Sequence, residues 1–207
     1  MKLQIAFDIL ELDKAISTAH ELQEYADIFE IGSLLIYKYG DRAIREFRTS
    51  FPQKTLLADA KIADRSKEAV TLLAQAGADW ITVIAGTGRN VIHTACTTAH
   101  DLGKKIMLDL IDASSLGQSA LEAQSLGVNA LLFHKPADED AQLTFLDRWD
   151  MVRGNTKLPI FVSAHITREN IHEILNINPT GIIMSKGVIE SANPREEARY
   201  FHDLIAQ

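Results

Sequence analysis

Short apolar runs alternate along this chain with longer stretches whose apolar positions recur every three or four residues. Residues 3–7 read as a strand, and Leu12, Ala15, Ile16, Ala19 and Leu22 behind it mark one buried helix face. Residues 28–31 read as a second strand, and 42–51 as a helix ended by Pro52. The third strand is expected over 55–60, followed by a helix over 66–76. Residues 80–84 and 106–110 are dominated by β-branched and apolar side chains, as in strands buried on both faces. Val91, Ile92, Ala95 and Ala99 place a helix between them, with Gly103 as its stop. The rhythm continues with a helix over 120–126 stopped at Gly127, a strand over 130–133 and a helix over 140–152. A strand over 160–162, a helix over 167–175 and a strand over 181–184 come next. Asn193 then caps a last helix that starts at Pro194 and turns Ala198, Phe201, Leu204 and Ile205 inward.

Eight strands, each followed by a helix, predict an α/β fold with a parallel sheet and right-handed crossovers. Eight repeats favour closure into a (β/α)8 TIM barrel, a single domain over residues 1–207, although the chain is short for that fold. An open doubly wound sheet is the competing architecture.

Composition narrows the functional classes. The hydrophobic fraction of 46% supports a substantial core, and 28 acids against 21 bases argue against a general affinity for nucleic acid. A phosphorylated metabolite, which needs only a local cluster of donors, is not excluded. Cys96 is the only cysteine, which rules out an internal disulfide and a cysteine-based zinc site. No apolar run has transmembrane length, and Met1-Lys2-Leu3-Gln4 begins a strand without the apolar region of a signal peptide. A soluble protein of a reducing, cytoplasmic compartment is expected.

In a barrel of this kind the chemistry gathers where strands end. Those ends carry Asp8, Glu30, Asp59-Ala60-Lys61, Asp109 within the fifth strand, His134, Ser163-Ala164-His165 and Ser185-Lys186-Gly187. Asp59 and Lys61, two apart on a strand, share a face, and a lysine beside Asp8 and Asp59 would stay charged and could stabilise an oxyanion. The plainer alternative is a surface salt-bridge cluster in which Asp64 caps a helix. His20, His93, His100, His172 and His202 fall in helical stretches and read as surface residues. Cys96 reads as packing, and Thr87-Gly88-Arg89 as either a substrate contact or a helix start. Gly86 and Gly88 lack the third glycine of a dinucleotide fingerprint.

The phrases Leu3-Gln4-Ile5-Ala6-Phe7-Asp8, Phe29-Glu30-Ile31-Gly32, Leu57-Ala58-Asp59-Ala60-Lys61-Ile62-Ala63-Asp64 and Ala78-Asp79-Trp80-Ile81-Thr82-Val83 carry a family resemblance. They resemble the hexulose-6-phosphate synthase and 3-keto-L-gulonate-6-phosphate decarboxylase group of the orotidine-monophosphate decarboxylase suprafamily. The resemblance implies a homodimeric barrel with shared active sites, acting on phosphorylated ketoses through magnesium-stabilised enediolates. By position it makes Glu30 and Asp59 the Mg2+ ligands, Asp8 a catalytic, substrate-contacting carboxylate and Lys61 the enediolate-stabilising lysine. Asp64 becomes the aspartate supplied across the dimer interface, and His134 a proton-transfer group, with a backbone-bonded strand-end histidine as its plain alternative.

The phosphate end departs from that pattern. Glycines are usual after the seventh and eighth strands, and this chain instead offers Ser163, His165, Ser185, Lys186 and Gly187 as phosphate-binding candidates. Lys186 is the leading replacement, because a lysine serves phosphate as a point charge. The stretch Lys135-Pro136-Ala137-Asp138 lacks the arginine usual in the decarboxylase branch, and Leu108-Asp109-Leu110-Ile111-Asp112 resembles the synthase branch. Both clues favour aldol chemistry with formaldehyde over decarboxylation. A catalytically lapsed sugar-phosphate sensor or assembly partner is the reading from another class.

Overall fold

The computed structural model describes residues 1–134 and 145–206. Its strands are β1 (Lys2–Phe7), β2 (Ile28–Ile31), β3 (Thr55–Ile62), β4 (Trp80–Ile84), β5 (Lys105–Asp109), β6 (Ala130–His134), β7 (Ile160–Ser163) and β8 (Gly181–Met184). Each pairs in parallel with the next, and β1 closes on β8, so the sheet is a closed barrel and the open alternative is excluded. The helices are α1 (Leu12–Leu22), α2 (Ser33–Tyr39), α3 (Asp41–Ser50), α4 (Ser66–Ala76), α5 (Arg89–Asp101), α6 (Leu116–Ala123), α7 (Phe145–Arg153), α8 (Ile171–Asn176), α9 (Lys186–Ile189) and α10 (Pro194–Ile205).

Strand parity divides the core in two. Leu3, Ile5, Phe29, Ile31, Leu56, Ile81, Ile106, Leu131 and Ile182 face outward and pack under the helices. Their alternates Ala6, Ile28, Leu57, Met107, Leu132, Phe161 and Ile183 fill the barrel interior. Alternation therefore sends Glu30, Asp59, Asp109 and His134 into the same interior column, two residues beyond an apolar filler. The strand β3 is irregular where this matters. Ala58 pairs with Ile81 and Ile62 with Val83, so β3 advances four residues while β4 advances two. The surplus is even, so Lys61 keeps the parity of Asp59.

Two helices were not expected from the sequence. The segments α2 and α9 are short and begin within two residues of a strand end, leaving too few turns for a periodic apolar stripe. The helix α6 starts four residues earlier than expected, where the Ser115 hydroxyl accepts the Gln118 amide at 3.4 Å. The helix α8 starts four residues later, because Asn170 takes the Thr167 amide at 2.8 Å and the His165 carbonyl at 3.1 Å into a turn. The strand β3 extends to Ile62, and β5 starts and ends one residue earlier than expected. Of the helix expected over 140–152, residues 140–144 lie outside the described residues. Asn193 does cap α10, accepting the Glu196 amide at 3.2 Å ahead of Pro194. Among the described residues no helix is long and apolar enough to cross a membrane.

Candidate active site

Lys61 sits at the centre of the C-terminal mouth. Its backbone takes the left-handed region, at φ 46°, a strained choice for a side chain of this size. The Thr82 hydroxyl holds the irregularity in place, accepting the Lys61 amide and donating to Asp59 Oδ1, both at 2.9 Å. Lys61 Nζ then lies 2.6 Å from Asp109 Oδ2 and 3.1 Å from Asp59 Oδ1. Burial works against its charge, but Asp59 and Asp109 outweigh it and hold the ammonium above the ordinary lysine range. The second carboxylate is therefore Asp109, where the sequence had pointed to Asp8.

Asp109 is fully buried and serves two neighbours. Its Oδ2 receives Lys61, and its Oδ1 accepts the Ile111 amide at 3.0 Å and lies 2.9 Å from His134 Nε2. Burial raises the Asp109 carboxyl, yet His134 and Lys61 more than compensate and hold it below the usual carboxylate range. His134 is half-buried and faces the same space as Lys61 rather than the backbone.

Three further carboxylates crowd the opposite side. Glu30 is 5% exposed, and burial, then Asp59 and Asp8, push its carboxyl well above the usual range. Asp8 is also raised, chiefly by burial, against a 2.8 Å hydrogen bond from the Ser185 hydroxyl. Asp59 Oδ2 accepts from Ser33 at 2.7 Å. Beneath them Gln4, fully buried, donates its amide to Glu30 Oε2 at 2.5 Å, while its own carbonyl Oε1 has no partner among the described residues. Such an orphaned group costs about 1–3 kcal/mol. The exits of β1 and β2 press together at Gly32. A Cβ there would collide with the Asp8 carboxylate and come within 2.6 Å of the Phe7 carbonyl oxygen.

Asp8, Glu30, Asp59 and Asp109 outnumber the two ammonium groups that reach them, Lys61 and, beside Asp8, Lys186, and a hard cation would relieve that surplus of negative charge. Among the described residues no three His, Cys, Asp or Glu side chains form a preformed metal cage. Glu30 and Asp59 fit a cation that completes its shell with water and substrate oxygens, as Mg2+ does.

Asp8, Glu30, Asp59, Lys61, His134, Ser163 and Ser185 line one cavity of about 200 Å³. It adjoins a second, of about 340 Å³, lined by Asp8, His134, Ser163, His165, Ser185, Lys186 and Gly187. His165 takes the left-handed conformation, φ 44°, that glycine adopts at no steric cost. The structure thus brings together every candidate except Asp64. That residue is exposed and bonds the adjacent Arg65 amide at 2.7 Å, and α4 begins without a side-chain cap, so the helix-cap alternative fails. Thr87 and Arg89 serve the frame: Thr87 donates to the Ala63 carbonyl at 2.6 Å, and Arg89 pairs with Glu122 at 2.5 Å. Cys96 is 3% exposed, with its thiol pushed up to about 12 by burial, which suits packing.

Thr82, Ser33 and Gln4 were absent from the sequence-derived set, and Asp109, noted in its strand, was given no role there. Parity alone could have found three of them, since Gln4, Thr82 and Asp109 all share the inward alternation of their strands. A larger cavity, about 390 Å³, opens at the other end of the barrel around Trp80, Phe161 and Lys105. It is lined by strand starts, where this architecture places stability rather than chemistry.

Comparison with known proteins agrees with this layout. The model of the orotidine 5'-phosphate decarboxylase / HUMPS family matches residues 1–201. The 3-hexulose-6-phosphate synthase of Bacillus subtilis is 30% identical over 209 aligned positions, covering 100% of both chains. The 3-keto-L-gulonate-6-phosphate decarboxylase of Escherichia coli is 28% identical, covering 99% of this chain and 97% of the other. The crystal structure of 3-hexulose-6-phosphate synthase from Salmonella typhimurium superposes with a TM-score of 0.92 at 29% identity, covering 100% and 99%. With a family match across almost the whole barrel and relatives aligned from end to end, the chain belongs to the orotidine 5'-phosphate decarboxylase / HUMPS family.

Proposed function

We propose that this chain is a cytoplasmic, Mg2+-dependent carbon–carbon lyase that joins ribulose 5-phosphate to formaldehyde through an enediolate, the 3-hexulose-6-phosphate synthase reaction. The observation that carries the reading is the Lys61 ammonium clamped between Asp59 and Asp109 beside the Glu30–Asp8 carboxylates. Mg2+ held by Glu30 and Asp59 would supply Lewis-acid charge. Lys61 adds a fixed positive charge where an enediolate oxygen gains electron density, and Asp109 orients it. His134, on the other arm of Asp109 and lining the same cavity as Lys61, is the group nearest to hand for moving a proton at the substrate carbon. Ser163, Ser185, Lys186, Gly187 and His165 form the phosphate end of the adjoining cavity.

Asp64 is exposed and lines neither cavity of its own mouth, and α2, which starts beyond the end of β2, leaves Leu34 43% and Tyr37 72% exposed. Both features support a homodimer in which Asp64 completes the partner's site. Turnover should be assayed with ribulose 5-phosphate plus formaldehyde and, separately, with 3-keto-L-gulonate 6-phosphate, each with and without Mg2+. Metal-dependent turnover in the first arm is expected. Turnover confined to the second would make the chain a decarboxylase. Silence in both, with a thermal shift from sugar phosphates, would mark a lapsed sensor.

A further inference from the structure

The residue Gln4 stands out in the barrel interior. At its depth the inward positions are otherwise filled by side chains such as Ile28, Leu57, Met107 and Phe161. A residue chosen for packing alone would be apolar there, because the Gln4 carbonyl is buried without a partner among the described residues. Its other end is engaged. The amide nitrogen reaches Glu30 Oε2 from β1, where Ala6 pairs with Glu30 and Gln4 lies one inward position below. Among the described residues no hydrogen bond is made to the second oxygen, Oε1, and Glu30 lines the catalytic cavity. With Glu30 ionised, as a metal ligand must be, a reversed amide would set its carbonyl against a carboxylate, so the metal-binding form fixes its orientation.

We propose that Gln4 is a positioning residue for the cation site: its amide holds one oxygen of Glu30 and leaves the other free to take a divalent cation. The inference rests on the reading of Glu30 as a metal ligand. Groups behind metal ligands orient them, and their loss typically weakens metal binding about 10–100-fold.

The test uses the full chain carrying Gln4→Met or, should that variant not fold, Gln4→Leu. Mn2+ affinity is measured directly by electron paramagnetic resonance of the free ion, alongside the melting temperature without metal. A 10–100-fold weaker Kd with an unchanged or raised melting temperature is expected. The half-saturating Mg2+ concentration should rise in parallel while kcat at saturating Mg2+ changes less than threefold. A loss of affinity below tenfold, or a fall in melting temperature with affinity intact, overturns the proposal and makes Gln4 structural. If wild-type protein binds no Mn2+ and ignores Mg2+, the metal reading itself fails, and the wild-type arm shows that separately.

Discussion

The two ends of this barrel are both polar and both hollow, yet only one is equipped for chemistry. The N-terminal end has the larger cavity, about 390 Å³ against about 340 and 200 Å³ at the C-terminal mouth. Its carboxylates are matched by cations: Lys2, 57% exposed, pairs with Asp27 at 2.6 Å, and Asp79 takes both Arg48 and Lys104. The C-terminal mouth buries Asp109 completely, Glu30 and Asp59 nearly so, and supplies too few cations for them. Volume does not tell the ends apart. What does is charge held out of water without full compensation, the condition under which a side chain can act on a substrate.

The largest effect expected from this contrast is at Lys61. Lys61→Ala should cost at least about 3 kcal/mol of transition-state stabilisation, roughly a hundredfold in kcat, while the chain still folds. Near-wild-type kcat at saturating Mg2+ would erase the distinction between the ends. Mixing Lys61→Ala with Asp64→Ala subunits comes next. In the proposed shared-site homodimer about half of the randomly exchanged dimers would be mixed, each with one intact site, so roughly a quarter of wild-type activity should return. No recovery after verified exchange would confine Asp64 to its own chain.

A pH experiment sharpens the comparison further. Glu30 is raised in the folded chain, so folding binds a proton that the unfolded chain releases near the ordinary glutamate value. Metal-free stability should therefore fall as pH rises from that value toward the folded one. Glu30→Gln should lessen this fall, to which the raised Asp8 also contributes, melting above wild type at pH 8 and close to it at pH 4. Parallel melting curves across that range would contradict the shift. His165→Gly should be milder, within about 1 kcal/mol of wild type, since relief of the left-handed backbone opposes the entropy glycine adds to the unfolded chain. If the imidazole touches phosphate, KM for the sugar phosphate should rise several-fold while kcat holds. Lys2→Ala at the other end should do least, under about 1 kcal/mol in stability and no change in turnover, as for an exposed ion pair.

Much of this was legible in the sequence. The strands announced themselves because a doubly buried strand has little freedom to be polar, and β2, β4 and β8 match their apolar runs residue for residue. Strand ends placed Asp8, Glu30, Asp59, Lys61 and His134 at the mouth, and the family resemblance supplied the roles expected of them. Asp109 was in view but left out of the site, since its importance lies in bridging Lys61 to His134, a contact between residues 48 and 25 positions away. Thr82 escaped for a similar reason. Its role depends on an irregularity in β3, and nothing in residues 58–62 signals one.

The Gly32 contact bears on how this surface can change over generations. Where two strand exits leave room for a hydrogen atom only, no viable substitution is a small one, because even a methyl group must displace the Phe7 backbone or the Asp8 carboxylate. Asp8 and Glu30 are thereby spaced by main chain rather than by replaceable side chains. New specificities are consequently cheap to explore around His165 and Lys186, where side chains do the spacing, and nearly closed to stepwise mutation at the β1–β2 rim.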